Sequence, residues 1–236
     1  MFQQALYRKT IATNAKAAAL IHDGSYQEAS SLLQQALFGL RDAMNESAQQ
    51  EEESDAAMYQ EDEHHTLRLG PVPINASIAS FEGSFSPHNE FELFGKAFLI
   101  GADNESDIES SMEFPMQLTA ALLFNSGIAS HCMSITTGRS DYLKRGFAFY
   151  KQAYHLLTHR DIDFNDSSIV LLLALYNNMG HCLSHQMDAT GAIQDLRSAM
   201  EHILKKLDRS NDWSEEYVVF DLSQLSTISP RAAPAA

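Results

Sequence analysis

Three asparagines, Asn14, Asn125 and Asn177, occupy the same place in three similar segments of this 236-residue chain. A side-chain amide offers both a donor and an acceptor, as a peptide group does. Amides at the same place on three helices are therefore suited to hold the backbone of an extended peptide. The alternative interpretation is that these amides bond neighbouring helix ends and hold the helices together.

Two histidines, His181 and His185, are four residues apart, which is a spacing that zinc ligands use on a helix. The sequence HCLSH lacks the glutamate that metalloproteases carry after the first histidine. A zinc site needs two further ligands, and Cys182 points about 100° away from His181 around the helix. We therefore expect ordinary histidines, no metal, and at most a pH-sensitive binding surface.

No other pattern in the chain indicates catalysis. There is no glycine-rich phosphate loop, no Gly-x-Ser-x-Gly turn and no Cys-x-x-Cys pair. The acidic stretch 103–109 has Asp107 where a calcium-binding EF-hand loop requires glycine. An enzyme or regulator built on His64, His65 and His88 is a competing hypothesis, but no spacing supports it. We expect a non-enzymatic protein without a cofactor.

The charge balance limits the partners. The formal net charge is −15, from 16 Lys and Arg against 31 Asp and Glu, whereas nucleic acid and anionic membrane attract clustered cations. We find no secretory signal pattern and no run of about 18 apolar residues that would span a bilayer. The two cysteines fit buried, reduced thiols. These features indicate a cytoplasmic location, with the nucleus as the alternative.

The elements that position the asparagines are helix hairpins. Around a break at Gln186–Asp188, apolar and small residues recur at spacings of three and four, which is typical of one helical face. They are Tyr176, Met179, Gly180, Leu183, Ala192, Ile193, Leu196 and Ala199. The pattern predicts two helices joined by a tight turn, with Gly180, Ala192 and Ala199 where the helices approach closely.

Two further copies of this hairpin are present. His22–Leu37 repeats the second half of the pattern, with Ala29, Leu33 and Ala36 at the same spacing. Met116–Leu157 contains another copy, whose second helix carries Gly146, Tyr150 and Ala153. Its two halves are six residues further apart than those of the hairpin around Gln186–Asp188. We expect the extra residues in a turn around Ser134–Ser140.

These positions resemble the tetratricopeptide repeat (TPR), in which an aromatic residue, Leu-Gly, a large apolar residue and Ala-x3-Phe recur at fixed spacing. The resemblance implies a right-handed superhelix of antiparallel helix hairpins whose concave groove binds a peptide or a helix. Capture of an acidic C-terminus is not expected, since the groove positions carry no Lys or Arg. The residues implied to line the groove are Asn14, His22, Asn125, Cys132, Met133, Asn177, His181, Ser184 and His185.

The expected fold is all-α, in a single domain over residues 1–236. Repeat 1 spans 3–44, an acidic loop and β-containing insertion spans 45–115, repeat 2 spans 116–159 and repeat 3 spans 168–208. Within the insertion, Phe91–Ile100 reads as a strand paired with Ile74–Phe85 in a small β-hairpin. Trp213, Tyr217 and Phe220 predict a capping helix over 212–225, which would cover the last repeat.

The function that follows is a non-catalytic protein–protein interaction module or scaffold that binds a peptide or helix in the concave groove. The alternative is a purely structural or oligomerising subunit whose groove is filled by its own insertion. The expected partner is a protein or peptide, with no nucleic acid and no membrane. The sequence leaves self-association open.

Overall fold

The computed structural model describes residues 2–52, 67–73, 91, 93–102, 113–158, 166–185 and 190–210, and these are mostly helical, as expected. The helices within those ranges are α1 (Phe2–His22), α2 (Tyr26–Glu52), α3 (Glu113–Thr137), α4 (Ser140–Thr158), α5 (Asp166–Ser184) and α6 (Thr190–Ser210). Two strands are described, β1 (Leu67–Pro73) and β2 (Lys96–Ala102). The predicted capping helix 212–225, the predicted strand 74–85 and the acidic stretch 103–109 lie outside the described residues.

Two glycines end helices by adopting the left-handed conformation. Gly24 has a φ of 84°, and the amides of Gly24 and Ser25 bond back to Ile21 and Leu20, which closes the end of α1. Gly138 has a φ of 68° and donates its amide to Ser134 at the end of α3. Each glycine therefore reverses the chain between two consecutive helices.

Consecutive helices pack against one another along the chain, from α1 to α6. The contact between α2 and α3 is made although both strands intervene in the sequence. Helix α3 lies at the centre, where it contacts α1, α2, α4, α5 and both strands. Its sequence is apolar on nearly every side, as a helix surrounded by other elements requires.

One helix of the described part, Phe114–Thr137, is long and apolar enough to cross a membrane by length and composition. Within the structure, 83% of its most apolar window is buried by the rest of the chain. Burial in the core accounts for this composition.

Small residues allow a close crossing of α3 and α4. A Cβ on Gly146 would lie 3.1 Å from the carbonyl oxygen of Gly127, and a Cβ on Gly127 would lie 2.3 Å from the Tyr150 ring. The extra residues of this hairpin lengthen the helices, since α3 continues to Thr137 and α4 begins at Ser140. Ala192, expected at the corresponding crossing of α5 and α6, is exposed.

Replacing Gly127 by alanine is expected to lower the free energy of unfolding by about 2 kcal/mol, because the new methyl group must displace the buried Tyr150 ring. Chemical denaturation measures this change. The matched control is Gly191→Ala in α6, where a Cβ would meet nothing within 4 Å. The control is expected to be neutral or slightly stabilising, since alanine has the higher helix propensity. Equal destabilisation by both substitutions would contradict the described crossing.

The two strands pair antiparallel, with Pro71 opposite Phe98 and Pro73 opposite Lys96. Proline has no amide to donate, so it is tolerated only where the amide would face away from the partner strand. Residues 71 and 73 are two apart and share that outward direction. The partner of β2 in this structure is therefore a proline-containing edge strand, which sequence patterning alone disfavours.

Candidate functional site

The backbone of Phe98 in β2 is held by two buried asparagines from different helices. The amide of Phe98 donates to Oδ1 of Asn125 at 2.8 Å, and Nδ2 of Asn125 donates to the carbonyl of Phe98 at 2.8 Å. Asn14 donates to the same carbonyl at 2.8 Å and accepts a bond from Asn125 at 2.8 Å. Both asparagine side chains are fully buried. Each side-chain nitrogen and oxygen of the two asparagines therefore takes part in a buried hydrogen-bond network.

The asparagines take the position of a third strand. Antiparallel residues alternate between pairs that bond to each other and pairs whose amide and carbonyl point outward. Phe98, opposite Pro71, is of the outward kind, since both its backbone groups bond to Asn125. The amide of Asn125 therefore replaces the peptide group that a neighbouring strand would present.

A third buried asparagine, Asn178 of α5, holds the segment four residues earlier. The amide of Phe94 donates to Oδ1 of Asn178 at 2.8 Å, and Nδ2 of Asn178 lies 3.4 Å from the carbonyl of Phe94. The neighbouring Asn177, which the sequence places in this role, is half-buried and donates to Asn178 at 3.3 Å. The structure thus brings Asn14 and Asn125 onto the segment directly, and Asn177 through Asn178.

The side chains of this segment fill the space between the helices. We call residues 91 and 93–100 the inner segment. Phe91, Phe94 and Phe98 are all buried, and the Phe98 ring lies 5.1 Å from that of Phe124 in α3. Of the residues predicted to line a groove, Asn14 and Asn125 therefore contact a segment of the same chain.

The remaining predicted groove residues fall into two sets. Cys132, Met133 and His181 are buried, whereas Ser184 is half-buried and donates to the carbonyl of Gly180 at 2.9 Å. His22 and His185 are exposed, and Nδ1 of His22 lies 2.8 Å from the carbonyl of Pro73 in β1.

A series of polar side-chain contacts connects the inner segment to a cluster of three histidines. The sequence did not predict that His131 belongs to this cluster. Asn178 lies 3.4 Å from the hydroxyl of Tyr150, which lies 3.4 Å from Nδ1 of His131. Nε2 of His131 lies 3.0 Å from Nδ1 of His181, whose ring is 4.8 Å from that of His185. If Asn178 donates to Tyr150 and Tyr150 to His131, the proton of His131 sits on Nε2 and faces His181.

The histidines of this cluster are held in the neutral form. Burial, and then repulsion by His181 and His185, lowers the pKa of His131 well below its ordinary value. Burial, and then His185, lowers the pKa of His181 to about 3. Burial also lowers the pKa of His185. Among the described residues, no three His, Cys, Asp or Glu side chains converge to hold a metal ion.

The cysteines are poor nucleophiles. Cys132 and Cys182 are both buried thiols, and burial raises the pKa of Cys182. We expect neither thiol of the native protein to react with an aromatic disulfide reagent at pH 7.5 within minutes, and both to react in denaturant. Absorbance of the released thiolate measures the stoichiometry, with Cys132→Ser as the control that should leave one reactive group. Rapid reaction of the native protein would contradict the described burial.

No protein-family model, curated protein or solved structure matches the chain.

Proposed function

We propose that this protein is a non-catalytic interaction module or scaffold of the TPR-like type. Its helix hairpins would form a right-handed superhelix, with the β-containing insertion entering from one side and a capping helix at the C-terminal end. The inner face of this array would hold an extended peptide through side-chain amides. The partner is a protein or peptide.

The observation that supports this proposal is the bonding of Asn125 and Asn178 to both backbone groups of Phe98 and Phe94. Backbone groups are common to all peptides, so amides that bind them recognise an extended chain whatever its sequence. The two bound residues are four apart in one segment, and α3 and α5, which are separated in the chain by α4, supply the amides. An inner face built this way can accept a peptide along its length.

The alternative function is a structural subunit in which the inner segment is a permanent part of the core. The full burial of Phe98 and the near-full burial of Phe91 favour this alternative, since the segment contributes large apolar surfaces to the interior. Both functions use the same contacts. They differ in whether a separate peptide enters the site when the inner segment is weakened.

A peptide-binding assay distinguishes the two functions. The tested protein carries Phe94→Ser and Phe98→Ser, which weaken the inner segment and change no helix; we call it the weakened variant. Its probe is a labelled peptide, FELFGKAFLI, which copies residues 91–100. We expect saturable binding by fluorescence anisotropy, and none of a scrambled peptide. Circular dichroism checks that the helices persist, and Phe98→Ser alone serves if the double variant unfolds.

The matched control adds Asn125→Ala and Asn178→Ala to the weakened variant. We expect the control to bind at least about tenfold more weakly, which corresponds to about 1.4 kcal/mol. Binding unaffected by loss of the two asparagines would overturn the proposed recognition. A folded weakened variant that binds no peptide would support the structural alternative.

A further inference from the structure

The inner segment shows which side chains the site accepts at each position. The amide contacts fix the register, because Asn178 binds the backbone at Phe94 and Asn125 binds it at Phe98. With the register fixed, each described side chain of the inner segment has a defined environment between the helices. The burial at each position therefore describes a recognition pattern.

The first position of the inner segment, Phe91, accommodates an aromatic ring because it lies against a glycine of α5. A Cβ on Gly180 would lie 2.6 Å from two ring atoms of Phe91, closer than side chains approach one another. The ring of Phe91 thus occupies the space that a side chain at position 180 would need. Phe91 is only 3% exposed, so this aromatic position is almost completely enclosed.

The later positions differ in their enclosure. Leu93 is 9% exposed, Ala97 is 1% exposed, and Phe98 is fully enclosed against Phe124. Gly95 and Lys96 are half-buried, and Leu99 is 36% exposed. Enclosed apolar positions exclude charge strongly, whereas open ones tolerate it.

We propose that the site selects extended partner peptides with aromatic residues at the positions of Phe91, Phe94 and Phe98. The position of Leu93 takes an apolar residue and that of Ala97 a small one, and the inner segment competes with such a partner for the same amides. This inference rests on the proposed function, since it assigns the ligand class and the competitor of that site. Gly180 is its specificity-determining residue. A partner of this class enters only by displacing Phe91, Phe94 and Phe98.

The pattern is tested with two peptides on the weakened variant. One peptide is FELFGKAFLI, and the other carries alanine at the position of Phe91. We expect the alanine peptide to bind about tenfold more weakly, because it leaves the surface of Gly180 uncovered. On the weakened variant with Gly180→Ala, the two peptides should bind within about threefold of each other. Equal affinities on the variant that retains Gly180 would overturn the assigned pattern.

Competition is tested by comparing the unmodified chain with the weakened variant. We expect FELFGKAFLI to bind the unmodified chain at least about tenfold more weakly, since a tethered segment has an effective concentration in the millimolar range. Equal affinity for the two proteins would overturn the competition. The proposed function would survive either of these two failures, whereas it fails if loss of Asn125 and Asn178 leaves peptide binding unchanged.

Thermal unfolding tests the contact between Gly180 and Phe91 without any added peptide. We expect Gly180→Ala to lower the midpoint of thermal unfolding by about 5 °C, because the new methyl group meets the Phe91 ring. In a chain that already carries Phe91→Ala, the same substitution should cause no loss. An equal loss in both backgrounds would show that Gly180 does not form the aromatic position.

Discussion

Replacing Asn125 by alanine is expected to lower the free energy of unfolding by about 3 kcal/mol, one of the two largest effects we predict. The substitution leaves the buried amide of Phe98 without its acceptor and removes the donor to Oδ1 of Asn14. A buried polar group that loses its only partner costs about 1–3 kcal/mol. Urea denaturation followed by circular dichroism measures the change.

The matched control for this prediction is Asn177→Ala. Asn177 is the same residue type on α5, but it is half-buried and donates to the side chain of Asn178 at 3.3 Å. We expect the control to cost under about 1 kcal/mol. If Asn177→Ala were as damaging as Asn125→Ala, the described roles of these asparagines would be wrong.

The second large effect is a loss of stability on mild acidification. His131 and His181 are neutral in the folded protein because burial lowers the pKa of each. In the unfolded chain a histidine titrates near its ordinary value of about 6.5. Below that pH the unfolded state binds protons that the folded state does not, so stability is complete above about pH 6.5 and falls as the pH falls. For His181 this loss continues down to its folded pKa of about 3.

Between pH 6.5 and 5, His181 is expected to remove about 1–2 kcal/mol of stability, and His131 adds to the loss in the same direction. Denaturation at several pH values in this window measures the decline, and the window lies above the ordinary range of carboxylates. His181→Gln should make the decline smaller, because one of the buried imidazoles is removed. Cys182→Ala, which changes a neighbour of His131 but keeps both imidazoles, should leave it in place. A stability that does not change over this window would contradict the neutral cluster.

Local periodicity was sufficient to predict the described hairpin helices and to place Asn14 and Asn125 at equivalent positions on two of them. Asn14 and Asn125 follow a fixed position of the pattern, and both prove to be fully buried. In α5 the asparagine that binds the inner segment is Asn178, one residue after the predicted Asn177. The fully buried face of α5 runs through Leu171, Leu175, Asn178 and Cys182 at spacings of four, three and four. One residue along a helix is a rotation of about 100°, so this face includes Asn178 and not Asn177.

The occupant of the site could not be identified from sequence, because the contacts are between residues far apart in the chain. Asn14 and Phe98 are separated by 84 positions, as are Phe94 and Asn178. The pairing of His131 with His181 could not be predicted for the same reason. The two residues come together from α3 and α5 and are 50 positions apart in the chain. Patterns within one helix carry no information about such pairs.

Hydrogen exchange at the amides of Phe98 and Phe94 shows whether asparagine side chains bind the backbone of the inner segment. We expect both amides to exchange as slowly as those of the core of α3. Asn125→Ala should accelerate exchange selectively at Phe98, and Asn178→Ala selectively at Phe94. Rapid exchange at these amides in the unmodified protein, or exchange unchanged by either substitution, would contradict the account.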